Sequence, residues 1–153
     1  MDRSKFKFKT EIRVRNYEVD WQGIVHNAVY LLYFETGRIE YFRALGLRID
    51  LESIKHGNRM VLVRNEINYR APAKFDDLLD VHTRISAIRN TSYVMEGLLL
   101  VHRSDKLIGE NVAVHVWLDP NTDRPKTISD TFRKAVQQFE GDSVVIEWPT
   151  YLA

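Results

Sequence analysis

Residues 16–35 read NYEVDWQGIVHNAVYLLYFE and place Asp20, Gly23, His26 and Asn27 just ahead of an aromatic-rich run with helical spacing. A helix N-terminus carries backbone N–H groups without intrahelical partners and a partial positive charge. An ionised carboxylate near it suits a nucleophile or general base better than an acid. The same N–H groups can polarise a carbonyl and hold the oxyanion formed when it is attacked. Gly23, lacking a side chain, would let a substrate lie against the backbone. A carboxylate with helix-end donors is the minimum set for hydrolysing an activated acyl group. The pattern D-x-x-G also has a plain structural reading, in which Asp20 and Gly23 make a turn and Asn27 caps the helix. Spacing alone does not choose between the two.

The elements that must position these residues follow from periodicity. Residues 28–45 are long enough only for a helix. At ~100° per residue, Ala28, Leu31, Leu32, Glu35, Ile39 and Phe42 share one face. Tyr30, Tyr33, Gly37, Tyr41 and Ala44 share the opposite face, leaving Thr36, Arg38, Glu40 and Arg43 on narrow polar edges. A helix apolar nearly all round is enclosed by protein. Gly37 costs about 1 kcal/mol against alanine in a helix, so it is expected to admit another backbone, and Gly46 to end the helix. Alternation predicts strands over residues 6–14, 61–69, 79–87, 93–101 and 108–118, joined by connectors short enough for antiparallel neighbours. DPNTDRP at 119–125 is a turn, and 129–139 predicts a surface helix. The result is one α+β domain over residues 1–153, a long central helix wrapped by a curved antiparallel sheet of about five strands. One such sheet cannot cover both helix faces, so loops or a second subunit must cover the rest.

Composition narrows the function classes. Lys and Arg number 22 against 21 acids, which gives no electrostatic footprint for nucleic acid. The absence of cysteine excludes disulfides, thiolate metal sites and a cysteine nucleophile, and fits a reducing compartment. No apolar run approaches the ~18 residues of a membrane span, and the N-terminus alternates Lys with Phe instead of building an apolar signal core. A soluble cytoplasmic protein without a membrane partner is expected. His56, His82, His102 and His115 are scattered too widely for spacing to support a metal site. No phosphate loop, dinucleotide glycine motif or nucleophilic-serine elbow occurs.

The longer stretch RNYEVDWQGIVHNAVYLLYFETGRIEYFRALG, residues 15–46, is more specific than D-x-x-G. Tyr17 and Glu18 precede Asp20, and Gly23, Val25, His26, Asn27 and Tyr30 follow it, with Tyr33, Glu35 and Arg38 further along the helix. INYRAP (67–72), RNTSY (89–93) and WLDPNTDRP (117–125) extend the pattern. Over nearly the whole chain this resembles the hotdog-fold acyl-CoA thioesterases of the 4-hydroxybenzoyl-CoA thioesterase-like family. The resemblance implies a hotdog fold and hydrolysis of an acyl-CoA to free acid and CoA, with no cofactor. Asp20 would attack the thioester carbonyl or activate water, and a backbone N–H near Asn27 would hold the carbonyl oxygen. A common variant of the family has histidine where this chain has Asn27. Here the histidine comes one residue earlier, and His26 either contacts the thioester or water or packs where the helix begins.

By family position, Arg89, Asn90 and Thr91, then Arg59, Arg124 and Lys126, are expected at coenzyme A phosphates, which the planar fork of arginine suits. Tyr30, Tyr33, Val61, Val63 and a neighbouring subunit would set the acyl pocket. The implied assembly is a homodimer or homotetramer with the site between subunits. Glu35, on an apolar helix face, is either a second acid or half of a buried ion pair with Arg38. The same fold leaves open an acyl-carrier-protein thioesterase and a non-catalytic acyl-CoA-binding module.

Overall fold

The aromatic run folds as α1 (Val29–Ala44), and a sheet wraps it. The structure, a computed structural model, describes residues 1–55 and 59–149; His56 lies outside them. Five strands follow the sequence alternation closely: β1 (Phe8–Arg13), β2 (Arg59–Tyr69), β3 (Leu78–Ile88), β4 (Ser92–Val101) and β5 (Leu107–Leu118). They pair antiparallel in the order β1-β3-β4-β5-β2. The architecture is the expected α+β one, a central helix on a five-stranded antiparallel sheet. Two short elements had no periodic signature to find them: α2 (Leu51–Lys55), and β6 (Val145–Ile146), which lies parallel to the end of β3 beyond β1. The helix expected over 129–139 is α3 (Asp130–Glu140), started by Ser129, whose Oγ accepts from the Phe132 N–H at 3.3 Å.

The face of α1 that meets the sheet differs from the expected split. Tyr30, Tyr33, Phe34, Gly37, Arg38, Tyr41 and Phe42 are buried, while Leu32 is 63% exposed and Glu35 faces solvent. Gly37 sets this contact. A Cβ there would lie 2.7 Å from Thr83 Oγ1 and from Val81 Cγ1, so the close approach is to β3 side chains and not to a backbone. The buried stripe therefore runs through Tyr30, Tyr33, Phe34, Gly37 and Tyr41, and Glu35 turns outward. The ion pair expected of Glu35 exists, with the burial reversed: Arg38 is 5% exposed and Glu35 is the open partner. The sheet covers only one side of α1, and the side carrying Leu32, Glu35 and Thr36 is bare.

Two apolar clusters fill the space between helix and sheet, one around Tyr30, Phe34, Leu79 and Val81, the other around Tyr41, Phe42, Tyr93 and Phe132. The second includes α3, which is thus half core rather than a purely surface helix. Its fully buried Arg133 donates to the carbonyls of Arg89, Asn90, Ile128 and Glu147, and so fixes the β3–β4 turn. Buried Glu140 accepts from the Tyr41 hydroxyl at 2.6 Å and the Ile85 N–H at 3.2 Å, tying α3 to α1 and β3.

Candidate active site

Residues 18–26 form a small hairpin that carries Asp20 to the start of α1. The Asp20 N–H donates to Ile24 O at 2.8 Å, the Gly23 N–H to Asp20 O at 3.0 Å and the His26 N–H to Glu18 O at 2.9 Å. Gly23 has φ +76, the left-handed residue that closes such a three-residue loop. Its role in the fold is this conformation, and the space beside it is open. Asp20 Oδ1 accepts from the Gln22 N–H at 2.8 Å, which stiffens the turn. Among the described residues Oδ2 accepts no hydrogen bond.

Side chains below the hairpin hold it in place. Glu18 Oε2 accepts from the Tyr33 hydroxyl and from the Arg15 N–H, both at 2.7 Å. Burial first, then the Glu18 contact, pushes the Tyr33 phenol far above its ordinary value. Tyr33 was expected in the acyl pocket; it is instead a core residue that anchors the loop to α1. The Val25 N–H donates to Ala73 O at 2.9 Å, and the Ala73 N–H donates to the Tyr30 hydroxyl at 3.1 Å, so the segment after β2 is clamped against both hairpin and helix.

At the helix start the Ala28 N–H is shared between Asn27 Oδ1 at 3.0 Å and His26 Nδ1 at 3.2 Å. The N-cap is Ala28, not Asn27 as expected, and no side chain caps the first turn of α1; Asn27 and His26 instead hold the N–H of the capping residue. An imidazole that accepts at Nδ1 carries its proton on Nε2 when neutral, so His26 offers one N–H donor. The Asn27 carbonyl accepts from the Tyr69 hydroxyl at 3.0 Å. Its N–H donates to no acceptor among the described residues.

Asp20, His26, Asn27 and Tyr30 meet on the wall of one cavity of about 550 Å3. Gln22, Ile24 and Val25 from the hairpin complete one side, and Tyr69, Arg70, Ala71 and Pro72 the other. Tyr30 packs edge-on to Tyr69 with ring centroids 5.3 Å apart. Burial, then the nearby Tyr69 and Asp20, raises the Tyr30 phenol above its ordinary 10, outweighing the Ala73 N–H. Sequence reasoning did not nominate Tyr69 or Arg70. The one signal was the strand-ending RAP at 70–72, which says where β2 stops but not what lies opposite.

The other nominated residues sit elsewhere in the chain. Val61 and Val63 are not on the cavity wall, because β2 meets the cavity with its far end at Tyr69. Arg59 opens β2 and pairs with Asp123. Arg89, Asn90 and Thr91 form the β3–β4 turn, where Asn90 borders a separate surface cavity of about 720 Å3 with Lys126, Ser129 and Trp148. Within one chain, the cavity of Asp20 and this turn remain apart.

One group of metal-ligand types does converge among the described residues: Glu11, Asp80 and His102. Cross-strand pairing brings Glu11 opposite Asp80, a contact that sequence spacing could not show. Lys9 Nζ and His102 Nδ1 take the two Asp80 oxygens at 2.9 and 2.8 Å. Burial would raise the Asp80 carboxyl, but these bonds hold it below its ordinary value. The group is an ion-pair network on the sheet face turned away from α1, remote from the cavity.

An antiparallel sheet around one long helix is the hotdog architecture. The model of the thioesterase-like superfamily matches residues 14–136, and the chain belongs to that superfamily. It is 30% identical over 135 residues to an acyl-acyl carrier protein thioesterase of Arabidopsis thaliana chloroplasts, covering 88% of this chain and 71% of that one. It is 28% identical over 122 residues to the acyl-CoA thioester hydrolase YbgC of Escherichia coli, covering 79% and 89%. A Thermus thermophilus thioesterase solved with coenzyme A and Zn superposes with a TM-score of 0.76 at 29% identity, covering 90% and 96%. By family the chain is a thioesterase-like hydrolase.

Proposed function

We propose that the protein hydrolyses an acyl-CoA thioester in the cavity beside Asp20. The observation that carries this reading is the pairing, on one cavity wall, of a carboxylate oxygen and the backbone N–H of Asn27, just ahead of α1, both without protein partners among the described residues. With Asp20 as general base, a water oxygen bonds to the thioester carbonyl carbon while Asp20 takes its proton. The Asn27 N–H then holds the oxyanion. As the C–S bond breaks, the departing thiolate takes the proton, leaving free acid and CoA. With Asp20 as nucleophile, its oxygen bonds to the carbonyl carbon, the thiolate leaves, and water cleaves the resulting anhydride. His26 supplies a further donor at the same wall.

The free edge of β2, where Leu62 and Val63 are exposed, and the bare side of α1 support assembly as a homodimer or homotetramer. Such an assembly would bring the Arg89–Asn90–Thr91 turn or Arg59 of one subunit to the phosphates of a ligand in another, with Val61 and Val63 toward its acyl group. The chloroplast relative favours a second carrier, acyl-carrier protein, on the same chemistry. Free-thiol release decides between them. Short, long, branched and aromatic acyl groups are offered on CoA and on carrier protein. Turnover of acyl-CoAs is expected. Turnover confined to carrier-protein substrates would replace CoA as the carrier, and binding of acyl-CoA without any turnover would make the protein a binding module.

A further inference from the structure

Farther along α1 a smaller cavity, of about 140 Å3, opens between the helix, the loop after it and strands β2, β4 and β5. Its polar wall is Glu35, Arg38 and His115, and Phe42, Met60 and Tyr93 line the rest. His115 is 8% exposed, and its Nδ1 is buried with no partner among the described residues. The ring is held flat on Tyr93, with centroids 5.0 Å apart and 5° between planes. Burial, then the charge of Arg38, pushes its pKa down to about 4, so it is neutral at pH 7 and carries one donor and one acceptor.

Arg38 spends its Nε and one Nη on Glu35 Oε2, and the other Nη on Asn111 Oδ1 at 3.3 Å. A guanidinium has five N–H groups, so donors remain. Glu35 is the solvent-facing partner and its Oε1 is open to water, so the buried group left without a partner is His115 Nδ1. The charges of Glu35 and Arg38 cancel, and what is left over is a neutral set of donors and acceptors. Buried polar groups left without partners are costly. A hydroxyl, which both donates and accepts, is the complement.

The position fits an acyl group. Tyr30 stands on the wall of the Asp20 cavity, and at ~1.5 Å rise per residue Glu35 and Arg38 lie about 8–12 Å further along the α1 axis. Leu31, one turn before Glu35 on the same stripe, is half-buried and offers apolar surface between the two cavities. We infer that Glu35, Arg38 and His115 form a second subsite that receives the terminal hydroxyl of a medium-length ω-hydroxyacyl group. This assignment rests on the thioesterase reading.

The test compares kcat/KM for ω-hydroxyoctanoyl-CoA and octanoyl-CoA in the wild-type protein, His115→Phe and Glu35→Gln. Phenylalanine keeps the stack on Tyr93 but removes the ring nitrogens. The ratio between the two substrates is read within one preparation, so partial misfolding of a variant cancels. The wild type should prefer the hydroxylated substrate about tenfold, and the ratio should fall toward one in His115→Phe and drop in Glu35→Gln. A wild-type ratio of one or less, or a ratio that both variants leave unchanged, overturns the subsite and leaves the cavity to water. If wild type hydrolyses neither substrate, it is the reading of the protein as a hydrolase of eight-carbon acyl-CoAs that fails, and not the subsite. Calorimetric binding of ω-hydroxyoctanoic and octanoic acids to the same three proteins then decides the subsite. A preference for the hydroxy acid that His115→Phe abolishes supports it, and equal binding of both acids overturns it.

Discussion

One oxygen of Asp20 closes a turn and the other accepts no hydrogen bond among the described residues, so the turn reading of D-x-x-G is compatible with the catalytic role proposed for the same side chain. At the residue scale the sharpest stability prediction concerns His115. Unfolded, it titrates near 6.5; folded, at about 4. The folded state binds fewer protons between these values, so the contribution of neutral His115 is complete above about pH 6.5 and is lost as pH falls toward 4. The full loss is on the order of 3 kcal/mol. Buried Glu140 works in the opposite sense, because burial raises its pKa and its folded form gains stability as it protonates. The difference in unfolding free energy between wild type and His115→Phe isolates the imidazole: it should shrink from pH 7 to pH 4, and a difference independent of pH would show that His115 is not buried neutral. At this scale Asp20, His26, Asn27 and Tyr30 were legible because they are neighbours in the chain and a helix start needs few residues to announce itself. Tyr69 and Arg70 were not, since they reach the cavity through strand pairing, and a strand's partner is not written in its own alternation.

At the scale of elements, α1 shows what periodicity can and cannot decide. Its length and apolar character were plain, but a helix apolar on most sides does not declare which side meets the sheet. Gly37 was the discriminating residue, and its contacts with Val81 and Thr83 rotate Glu35 into solvent. Gly37→Ala sets two effects against each other. Alanine favours the helix by about 1 kcal/mol, whereas its methyl would overpack two buried β-branched side chains at a typical cost of about 1–3 kcal/mol. Overpacking should win, and thermal unfolding should show a Tm several degrees lower. A Tm equal to or above wild type would mean that α1 does not lie this close to β3. The loop ahead of α1 depends on the same helix through the Tyr33–Glu18 hydrogen bond, which holds the Asp20 hairpin to the core.

At the scale of the whole molecule, the described chain leaves one side of α1 bare and the β2 edge unpaired, with Val63 57% exposed beside a bulge in its pairing with β5. On the uncovered side Leu32 is the exposed apolar residue, beside Glu35 and Thr36. The sequence pointed to a helix with more apolar surface than one sheet can cover. It could not show which edge was open, because strand order is a property of the assembled sheet. No helix among the described residues is long and apolar enough to cross a membrane. A lysine on an exposed strand edge opposes pairing with another chain. Val63→Lys should therefore shift the protein toward monomer in sedimentation and reduce acyl-CoA turnover together; a monomeric wild type, or a monomeric variant with full activity, would confine the site to one chain.

The most direct measurement is the turnover of the best acyl-CoA by wild type and Asp20→Asn, with Tm and oligomeric state followed in both. Asparagine keeps the oxygen that accepts from the Gln22 N–H, so the hairpin should stand. It cannot serve as a carboxylate base or nucleophile. A fall in kcat of about 10²–10⁴-fold at unchanged Tm and assembly is the predicted result. Turnover at the wild-type rate would remove Asp20 from the chemistry and contradict the account.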